Sequence, residues 1–298
     1  MDEIDVKICM MLLQNSRRPY RELADSLEIS VNAVHKRVQK LIATKVIRGF
    51  TTNLSISSLN TINAIIFGKS KNRDIEMLQE LLSKDENTYW LAIAGGNELY
   101  IGGYLRELNE MDSYVEKIQD IAQLIEPTVG IVSHDSGQTG ATSIKKELDK
   151  IDWRILQELH NDSRKSFADI AEELNVSAKT IRRRLEVLEE NDQIQYSINW
   201  YPEASNDIIS VFQIFLQASV DKQKVGLDII KKYFPNTLFF WSFGNIPNSI
   251  IVLAWNETMR DLTHLRLGLE EFNEISSITT NIIYSGHVFD TWREGLLE

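Results

Sequence analysis

Apolar residues recur at steps of three and four positions in two separate stretches of the chain. They are Ile4, Ile8, Met11 and Leu12 in the first stretch, and Ile151, Ile155 and Leu159 in the second. This period predicts amphipathic helices that each bury one face. A short helix follows each of them, at residues 20–27 and 167–174, and a tight turn then leads to a third helix.

The third helix of each stretch is predicted to bury an apolar stripe. The buried positions are Val31, Val34, Val38 and Leu41 in the first stretch, and Ala178, Ile181, Leu185 and Leu188 in the second. Ser30 and Ser177 precede these helices and are suited to cap them, because a serine hydroxyl accepts a hydrogen bond from an unpaired helix N–H. Three helices in this order predict a helix-turn-helix, and the extended residues 46–51 and 194–198 predict a wing behind each.

Between and after these stretches, the pattern changes to short apolar runs that alternate with helices. Residues 62–69, 88–94, 99–105 and 128–133 are strand-like, and residues 73–82 and 108–121 are helical. This order is βαββαβ, that of a ferredoxin-like sandwich, and residues 208–284 repeat it. Helices cover one face of such a sheet, so we expect the two sheets to cover each other's second face.

The chain repeats itself at an offset of 147 residues. Residues 1–47 align with residues 148–194 without a gap, and 13 of these 47 positions are identical. We therefore predict an α+β fold in which two winged helix-turn-helix modules alternate with two ferredoxin-like βαββαβ modules. The predicted domains are residues 1–55, 56–143, 144–200 and 201–298.

Composition limits the class of protein. The sequence contains no run of 18 apolar residues, so we predict no membrane span. The acidic start of the chain, Met1–Asp5, argues against a secretion signal. The single cysteine, Cys9, excludes an intrachain disulfide and a multi-cysteine metal site, so a cytoplasmic location is expected. The five histidines lie far apart in sequence, and we predict neither a metal nor a cofactor.

The net charge of −11 taken alone disfavours a nucleic-acid partner, because phosphates repel an acidic surface. The charge is distributed unevenly, however. It is +3 over residues 1–55, −7 over 56–143, −2 over 144–200 and −5 over 201–298. Local basic patches still dock phosphate, since the fields of exposed charges fade over about 8 Å at physiological salt. We expect DNA binding that is weaker and more salt-sensitive than that of a basic protein.

The outward face of each third helix carries side chains suited to a DNA major groove. Asn and Gln pair with adenine, whereas Arg and Lys pair with guanine or phosphate. The predicted DNA-contacting residues are Ser30, Asn32, His35, Lys36, Gln39 and Lys40 in the first copy, and Ser177, Lys179, Thr180, Arg182 and Arg183 in the second. A merely solvated helix face is the alternative explanation for these polar residues.

Other residues leave two interpretations open. The turn Gly95, Gly96 and Asn97 borders an effector cleft in one interpretation and is only a hairpin in the other. Arg17 and Arg164 precede the second helices, and a structural ion pair and a phosphate contact are equally compatible with that position. Two acidic pairs stand at helix starts, where we expect them to complement the helix dipole. These pairs are Asp2 with Asp5 and Asp149 with Asp152.

The chain resembles the Lrp/AsnC (feast/famine) family of transcription regulators over nearly its whole length, twice. The resemblance lies in residues 2–8, 15–18, 22–24 and 30–41, and in residues 95–97, which are similar to a turn of the family's βαββαβ sensing domain, often called RAM. It implies a DNA-binding regulator that forms dimers and larger oligomers and senses an amino acid. Arg37 and Arg184 match the family's helix-three arginine, which adds them to the predicted DNA-contacting residues.

Two features depart from the family pattern. Ordinary members carry one copy of each module, whereas this chain carries two, and Ile246-Pro247 interrupts the turn that corresponds to residues 95–97. Our hypothesis is a sequence-specific transcription regulator, not an enzyme, whose single chain acts as a pseudo-dimer on an imperfect palindrome in double-stranded DNA. We further expect an amino acid or another small effector, and a homo-oligomer.

Two alternatives remain. Siroheme decarboxylases resemble this family in fold and act on a tetrapyrrole with basic residues and histidine in the sensing-like domain. Residues 89–105 and 238–255 contain neither His nor Arg, which disfavours such an enzyme. The other alternative is a co-regulator that dimerises without binding DNA, which the acidic total favours.

Overall fold

The structure is a computed structural model, and it describes residues 1–135 and 147–298. The predicted boundary at residues 143 and 144 lies outside these residues. In chain order the elements are α1 (Glu3–Gln14), α2 (Tyr20–Leu27), α3 (Val31–Ala43), β1 (Ile47–Leu54), α4 (Ile56–Leu59), β2 (Ile62–Ser70), α5 (Ile75–Ser83), β3 (Thr88–Ala94), β4 (Glu98–Leu105), α6 (Met111–Ala122), β5 (Leu124–Asp135), α7 (Lys150–His160), α8 (Phe167–Leu174), α9 (Ala178–Glu190), β6 (Ile194–Trp200), β7 (Ile208–Leu216), α10 (Lys222–Tyr233), β8 (Thr237–Phe243), β9 (Ser249–Asn256), α11 (Met259–Glu270), β10 (Ile275–Val288) and α12 (Trp292–Gly295).

The described residues form two compact units, of which the first is built from three segments of the chain and the second from two. The first unit contains residues 1–60, 147–204 and 293–298, and the second contains residues 61–135 and 205–292. Both helix-turn-helix modules therefore belong to the first unit, and both βαββαβ modules belong to the second. None of the described helices is long and apolar enough to cross a membrane.

Each helix-turn-helix module begins with a capping box. The carboxylate of Asp2 accepts a hydrogen bond from the Asp5 N–H, and the carboxylate of Asp5 accepts one from the Asp2 N–H. Asp149 and Asp152 form the same pair of bonds at the start of α7. These bonds satisfy N–H groups that have no partner within the helix. The acidic pairs thus fix where the first helix of each module starts.

The buried stripe of each third helix agrees with the prediction except at its first position. Six of the eight predicted residues are buried: Val34, Val38, Leu41, Ile181, Leu185 and Leu188. The prediction is wrong for Val31, which is 46% exposed, and for Ala178, which is also exposed. Each is the first residue of its helix, where the buried stripe has not yet begun.

The two segments that were predicted as wings pair with each other. β1 and β6 form a two-stranded antiparallel sheet in which Thr51 lies opposite Ser197 and Leu54 lies opposite Ile194. Leu54 is 4% exposed and belongs to the hydrophobic core of the second helix-turn-helix module. The sheet therefore joins the two copies, because each copy contributes one strand to it.

In the second unit, the strands of both copies close into one barrel of order β10-β3-β4-β2-β5-β8-β9-β7. Each copy contributes four adjacent strands, β5-β2-β4-β3 from the first and β10-β7-β9-β8 from the second. Antiparallel pairing of β3 with β10 and of β5 with β8 closes the barrel. The predicted α+β fold of alternating helix-turn-helix and βαββαβ modules is confirmed, and the two sheets complete each other as expected.

Candidate nucleic-acid interface

The third helices α3 and α9 start at serines whose hydroxyl groups are used as caps. Ser30 Oγ accepts a hydrogen bond from the Ala33 N–H at 3.1 Å. Ser177 Oγ accepts one from the Thr180 N–H at 3.1 Å and lies 2.9 Å from the Thr180 hydroxyl. Both serines remain exposed, so capping leaves the front of each helix open.

Behind the caps, most of the predicted DNA-contacting side chains lie on the exposed face of the helix. Asn32, His35, Lys36, Gln39 and Lys40 are exposed on α3, and Lys179, Arg182 and Arg183 are exposed on α9, whereas Thr180 is partly buried. The stripes opposite them are the buried ones. Two amphipathic helices in one unit thus present amide, imidazole, ammonium and guanidinium groups to solvent.

Arg37 and Arg184 have a position that differs from the outward one implied by the resemblance. Arg37 Nη1 lies 2.6 Å from a carboxylate oxygen of Asp2 and 2.7 Å from one of Asp5. The guanidinium of Arg184 is held by Asp149 and Asp152 in the same way, at 2.7 and 2.8 Å. Each arginine ties the third helix to the capping box of the first helix.

The ion pairs affect the titration of the capping carboxylates. The hydrogen bond from Arg184, together with the N–H of Asp152, lowers the pKa of Asp149 to about 2. Burial acts to raise the pKa of Asp2, but the Asp5 N–H and the Arg37 guanidinium outweigh it and lower that pKa. Both arginines therefore brace their own module by positioning α3 and α9, and a contact of either arginine with DNA stays a prediction.

Arg17 and Arg164 cross between the two copies. The guanidinium of Arg17 donates hydrogen bonds to the backbone carbonyls of Ser163 and of Lys165, the latter at 3.1 Å. In the other direction, Arg164 donates to the carbonyl of Arg18 at 3.3 Å. Burial lowers the pKa of both guanidinium groups. Each of these contacts is a structural bridge to the opposite copy, and its acceptors are carbonyl groups instead of carboxylates or phosphates.

Each crossing arginine also lies over an aromatic ring of the opposite copy. The Arg17 guanidinium carbon is 4.5 Å from the centre of the Phe167 ring, and that of Arg164 is 4.4 Å from the centre of the Tyr20 ring. Tyr20 and Phe167 are the first residues of α2 and α8 and align at the repeat offset of 147. This aromatic pair was not among the predicted functional residues, although an aromatic residue at the same position of both repeats is a signal visible in the sequence.

The same two rings contact the exposed faces of the third helices. The Tyr20 ring lies edge-on to the His35 ring, with centroids 6.0 Å apart. The Arg182 guanidinium carbon lies 5.7 Å from the centre of the Phe167 ring. Phe167, Ala178, Lys179 and Arg182 line a surface cleft of about 340 Å³. The front of α9 therefore combines an apolar floor with two cationic side chains.

The predicted effector turn is a tight connection between β3 and β4. Gly96 and Asn97 have φ values of 72° and 61°, and such positive values favour glycine or asparagine. The Asn97 amide donates hydrogen bonds to the carbonyls of Ser70 at 2.5 Å and Asn72 at 2.9 Å. A Cβ added at Gly95 would meet no atom within 4 Å. These bonds explain the turn structurally, and an effector beside it stays a prediction.

The corresponding turn of the second copy is built differently. The side chain of Asn245 accepts a hydrogen bond from the Ile131 N–H and donates one to the Val129 carbonyl, both at 2.8 Å. Lys222 Nζ donates to the carbonyls of Phe243 and Ile246, the latter at 2.8 Å. This turn is thereby tied to β5 of the first copy, so the two turns of the chain are not equivalent.

Comparisons with known proteins agree with the duplicated helix-turn-helix. The sequence profile of the AsnC-type helix-turn-helix domain matches residues 1–42 and 148–189. An uncharacterized HTH-type transcriptional regulator of Pyrococcus furiosus, PF2053, is 31% identical over 126 residues, which are 42% of this chain and 84% of that relative. A second such regulator, PH1692 of Pyrococcus horikoshii, is 27% identical over 157 residues, covering 52% of this chain and 97% of that relative.

A solved structure matches the chain over almost its whole length. It is that of the siroheme decarboxylase NirDL, with a TM-score of 0.61 and 14% identity over 99% of this chain and 98% of that one. At this identity the match establishes a shared fold. It also contradicts the expectation that this chain is not an enzyme, because a protein with the same fold over its whole length is an enzyme.

Proposed function

The chain belongs to the Lrp/AsnC family of transcription regulators, and from this premise we propose that it binds double-stranded DNA through two unlike helix-turn-helix modules of one polypeptide. One observation carries the proposal. α3 and α9 each follow a serine cap, each expose a face of amide and cationic side chains, and both belong to the same compact unit. Side chains of these types make the base and phosphate contacts of DNA-binding helices.

In this proposal one chain takes the place of a dimer. The antiparallel β1–β6 sheet and the crossing arginines link the two copies, so binding of one recognition helix raises the effective concentration of the other. Paired recognition helices reach successive major grooves that are about 34 Å apart. Two recognition helices that each bind DNA with moderate affinity thereby bind it more tightly together, despite the net charge of −11.

The two recognition helices differ, so the preferred site is an imperfect palindrome. The first offers Asn32, His35 and Lys36, whereas the second offers Lys179, Arg182 and Arg183 at or near the aligned positions. Asn forms paired hydrogen bonds with adenine, and Arg forms them with guanine. We therefore propose one half-site that is richer in A·T pairs and one that is richer in G·C pairs.

The proposal also includes an effector, further assembly of the chain and a cytoplasmic location. Gly95, Gly96 and Asn97 are the proposed border of the effector site, supported by the open space around both glycines. The domain limits 55/56, 143/144 and 200/201 belong to the same proposal. DNase footprinting with and without single amino acids tests the effector; a footprint that no amino acid alters would remove it from the proposal.

A gel-retardation experiment tests DNA binding itself. Genomic DNA fragments are incubated with the full chain at about 50 mM salt and again at about 200 mM salt. We expect a subset of fragments to be retarded at low salt. Retardation should fall steeply at the higher salt, because contacts to phosphates release counterions from the DNA and added salt opposes that release. If no fragment is retarded at low salt, the proposed function is wrong.

A second candidate function is supported by the whole-length likeness to the siroheme decarboxylase. Such an enzyme releases a carboxylate of a tetrapyrrole as CO2, and cationic or imidazole side chains near the barrel strands would be needed to hold the ring substituents. Residues 89–105 and 238–255 provide neither Arg nor His. Anaerobic incubation with siroheme and detection of CO2 decides this candidate independently of the DNA experiment.

A further inference from the structure

The two helix-turn-helix modules contact each other through a pair of reciprocal contacts at their junction. The hydroxyls of Ser16 and Ser163, which are aligned in the repeat, lie 2.6 Å apart and are fully buried. The next residue of each copy is the crossing arginine, Arg17 or Arg164. The junction therefore places a partly buried cation of each copy against the other copy.

Each crossing arginine is held in place from several sides. The guanidinium of Arg17 donates hydrogen bonds to two carbonyls of the opposite copy and lies over the rings of Phe167 and Tyr196, at 4.5 and 5.7 Å from their centres. Arg164 lies over the rings of Tyr20 and Phe50, at 4.4 and 4.9 Å. A cation over an aromatic face is attracted by the electron-rich centre of the ring, and more strongly when partly removed from water. The arginine thus holds the ring where it is.

The held ring is in turn a neighbour of a predicted base-reading side chain. Phe167 lies beside Arg182, and Tyr20 lies beside His35. Both reading side chains are exposed, and a long arginine side chain has many rotamers in water. A fixed ring reduces the conformations available to them. The structure therefore contains two parallel routes, Arg17–Phe167–Arg182 and Arg164–Tyr20–His35, and each route starts in one copy and ends on the recognition helix of the other.

We propose that each half of the chain positions the base-reading side chain of the other half, with Arg17 and Arg164 as the positioning residues. This inference rests on the proposed function, since it concerns how that DNA site is read. It adds a specific consequence: the sequence preference at one half-site depends on an arginine that belongs to the module bound at the other half-site.

The test exchanges each crossing arginine for methionine, which keeps much of the side-chain length but removes the charge and the hydrogen bonds. Arg182→Ala and His35→Ala first identify which half-site each copy reads, as the half-site at which base discrimination falls. Affinities for DNA duplexes with single base changes are then measured for wild type, Arg17→Met and Arg164→Met. We expect Arg17→Met to reduce discrimination about 3- to 10-fold at the half-site assigned by Arg182, and Arg164→Met to do so at the half-site assigned by His35.

The crossed pattern separates positioning from a general structural role. A variant that simply loosened the junction would lower affinity and discrimination at both half-sites equally, and that result would overturn the inference. The inference would also be overturned if base discrimination fell only at the half-site read by the module that carries the substitution, or at neither half-site. Phe167→Leu keeps the crossing hydrogen bonds but removes the ring, so it should reproduce the effect of Arg17→Met and provides the same test if Arg17→Met does not fold.

A second measurement, NMR of the free protein, needs no DNA. It therefore distinguishes failure of this inference from failure of the proposed function. In NMR spectra of the free protein, Arg164→Met should shift the ring resonances of Tyr20 and His35, which lie in the opposite copy. Arg17→Met should leave the His35 resonances in place. Equal shifts in both variants, or none in Arg164→Met, contradict the crossed routes even if wild-type protein binds no DNA.

Discussion

At the scale of single residues, the carboxylates that start α1 and α7 have two functions. Each pair caps its helix and also binds the arginine of the third helix, and the partner that lies deeper in each pair, Asp5 or Asp152, is almost completely buried. A buried carboxylate is stable only with a charged or hydrogen-bonded partner. The position of the recognition helix therefore depends on an ion pair between that helix and the start of the first helix of its module.

The ion pair between Asp149 and Arg184 should make the free energy of unfolding depend on pH in the acidic range. The pKa of Asp149 is about 2 in the folded chain, below its ordinary value of 3.8. A carboxyl whose folded pKa is depressed stabilises the fold above its unfolded pKa, and that contribution is lost as the pH falls towards the folded pKa. We therefore expect the free energy of unfolding to fall between about pH 4 and pH 2, and Arg184→Met to make that fall shallower.

Urea unfolding followed by circular dichroism at several pH values measures this slope. The matched control is Arg154→Met, which removes an exposed arginine from α7 of the same module. The control should keep the wild-type slope. Equal slopes for wild type and Arg184→Met would show that the ion pair does not set the titration of Asp149.

The exposed arginines of α9 give a second residue-scale prediction. The double substitution Arg182→Ala with Arg183→Ala should weaken DNA binding at least 10-fold, since each good base contact is worth about 1–3 kcal/mol. Fluorescence anisotropy with a labelled duplex measures the affinity, and thermal unfolding should change little because both side chains are exposed. Lys224→Ala with Lys231→Ala makes the same change of charge on α10, in the other unit, and should bind nearly as wild type. Unchanged binding by the α9 variant would indicate that the second module is purely structural.

At the scale of elements, the helices were predictable because their signals are local. The steps of three and four apolar residues and the serine before each third helix correctly indicated α1, α3, α7 and α9. The pairing of β1 with β6 was not predictable, since the two strands are separated by about 140 residues and nothing in either strand identifies its partner. The contacts of Arg17 and Arg37 are also made with residues distant in sequence, which explains why the sequence did not reveal them.

The serine caps yield an element-scale prediction that separates helix stability from DNA contact. Ser177→Ala removes the cap of α9 and should cost about 1 kcal/mol of unfolding free energy. Ser177→Asp keeps a capping oxygen and should recover most of that stability in urea unfolding. The negative charge of the aspartate repels DNA phosphates, so the DNA affinity of Ser177→Asp should be lower than that of wild type even though its stability recovers. Should the aspartate variant bind DNA as tightly as wild type, Ser177 does not lie near the DNA backbone.

The junction of the two modules gives a further prediction. Ser16→Ala leaves the buried Ser163 hydroxyl without its partner and should cost about 1–3 kcal/mol of unfolding free energy. Changing both serines to alanine removes both polar groups, so the double variant should cost less than the sum of the single ones. Urea unfolding of the four proteins measures this cycle. Additive costs would mean that the two hydroxyls do not interact.

At the scale of the whole molecule, the internal repeat was sufficient to predict a doubled architecture, and the covering of each sheet by the other followed from the unpaired face of a βαββαβ module. The pairing of edge strands between the two copies, which closes the barrel, could not be predicted from the sequence, because β3 with β10 and β5 with β8 are again distant pairs. The function of the doubled chain is harder to infer than its fold. The same tandem arrangement occurs in an enzyme of 14% identity, so architecture alone does not distinguish a regulator from a catalyst.

Selection of binding sites from random duplex DNA by the whole chain tests whether one polypeptide binds DNA with two different recognition helices. We expect enrichment of a bipartite site whose halves are centred about one helical turn apart, roughly 10 base pairs, and differ in sequence. One half should favour A·T pairs and the other G·C pairs. Enrichment of a perfectly symmetric site, or of no sequence at all at low salt, would contradict this prediction.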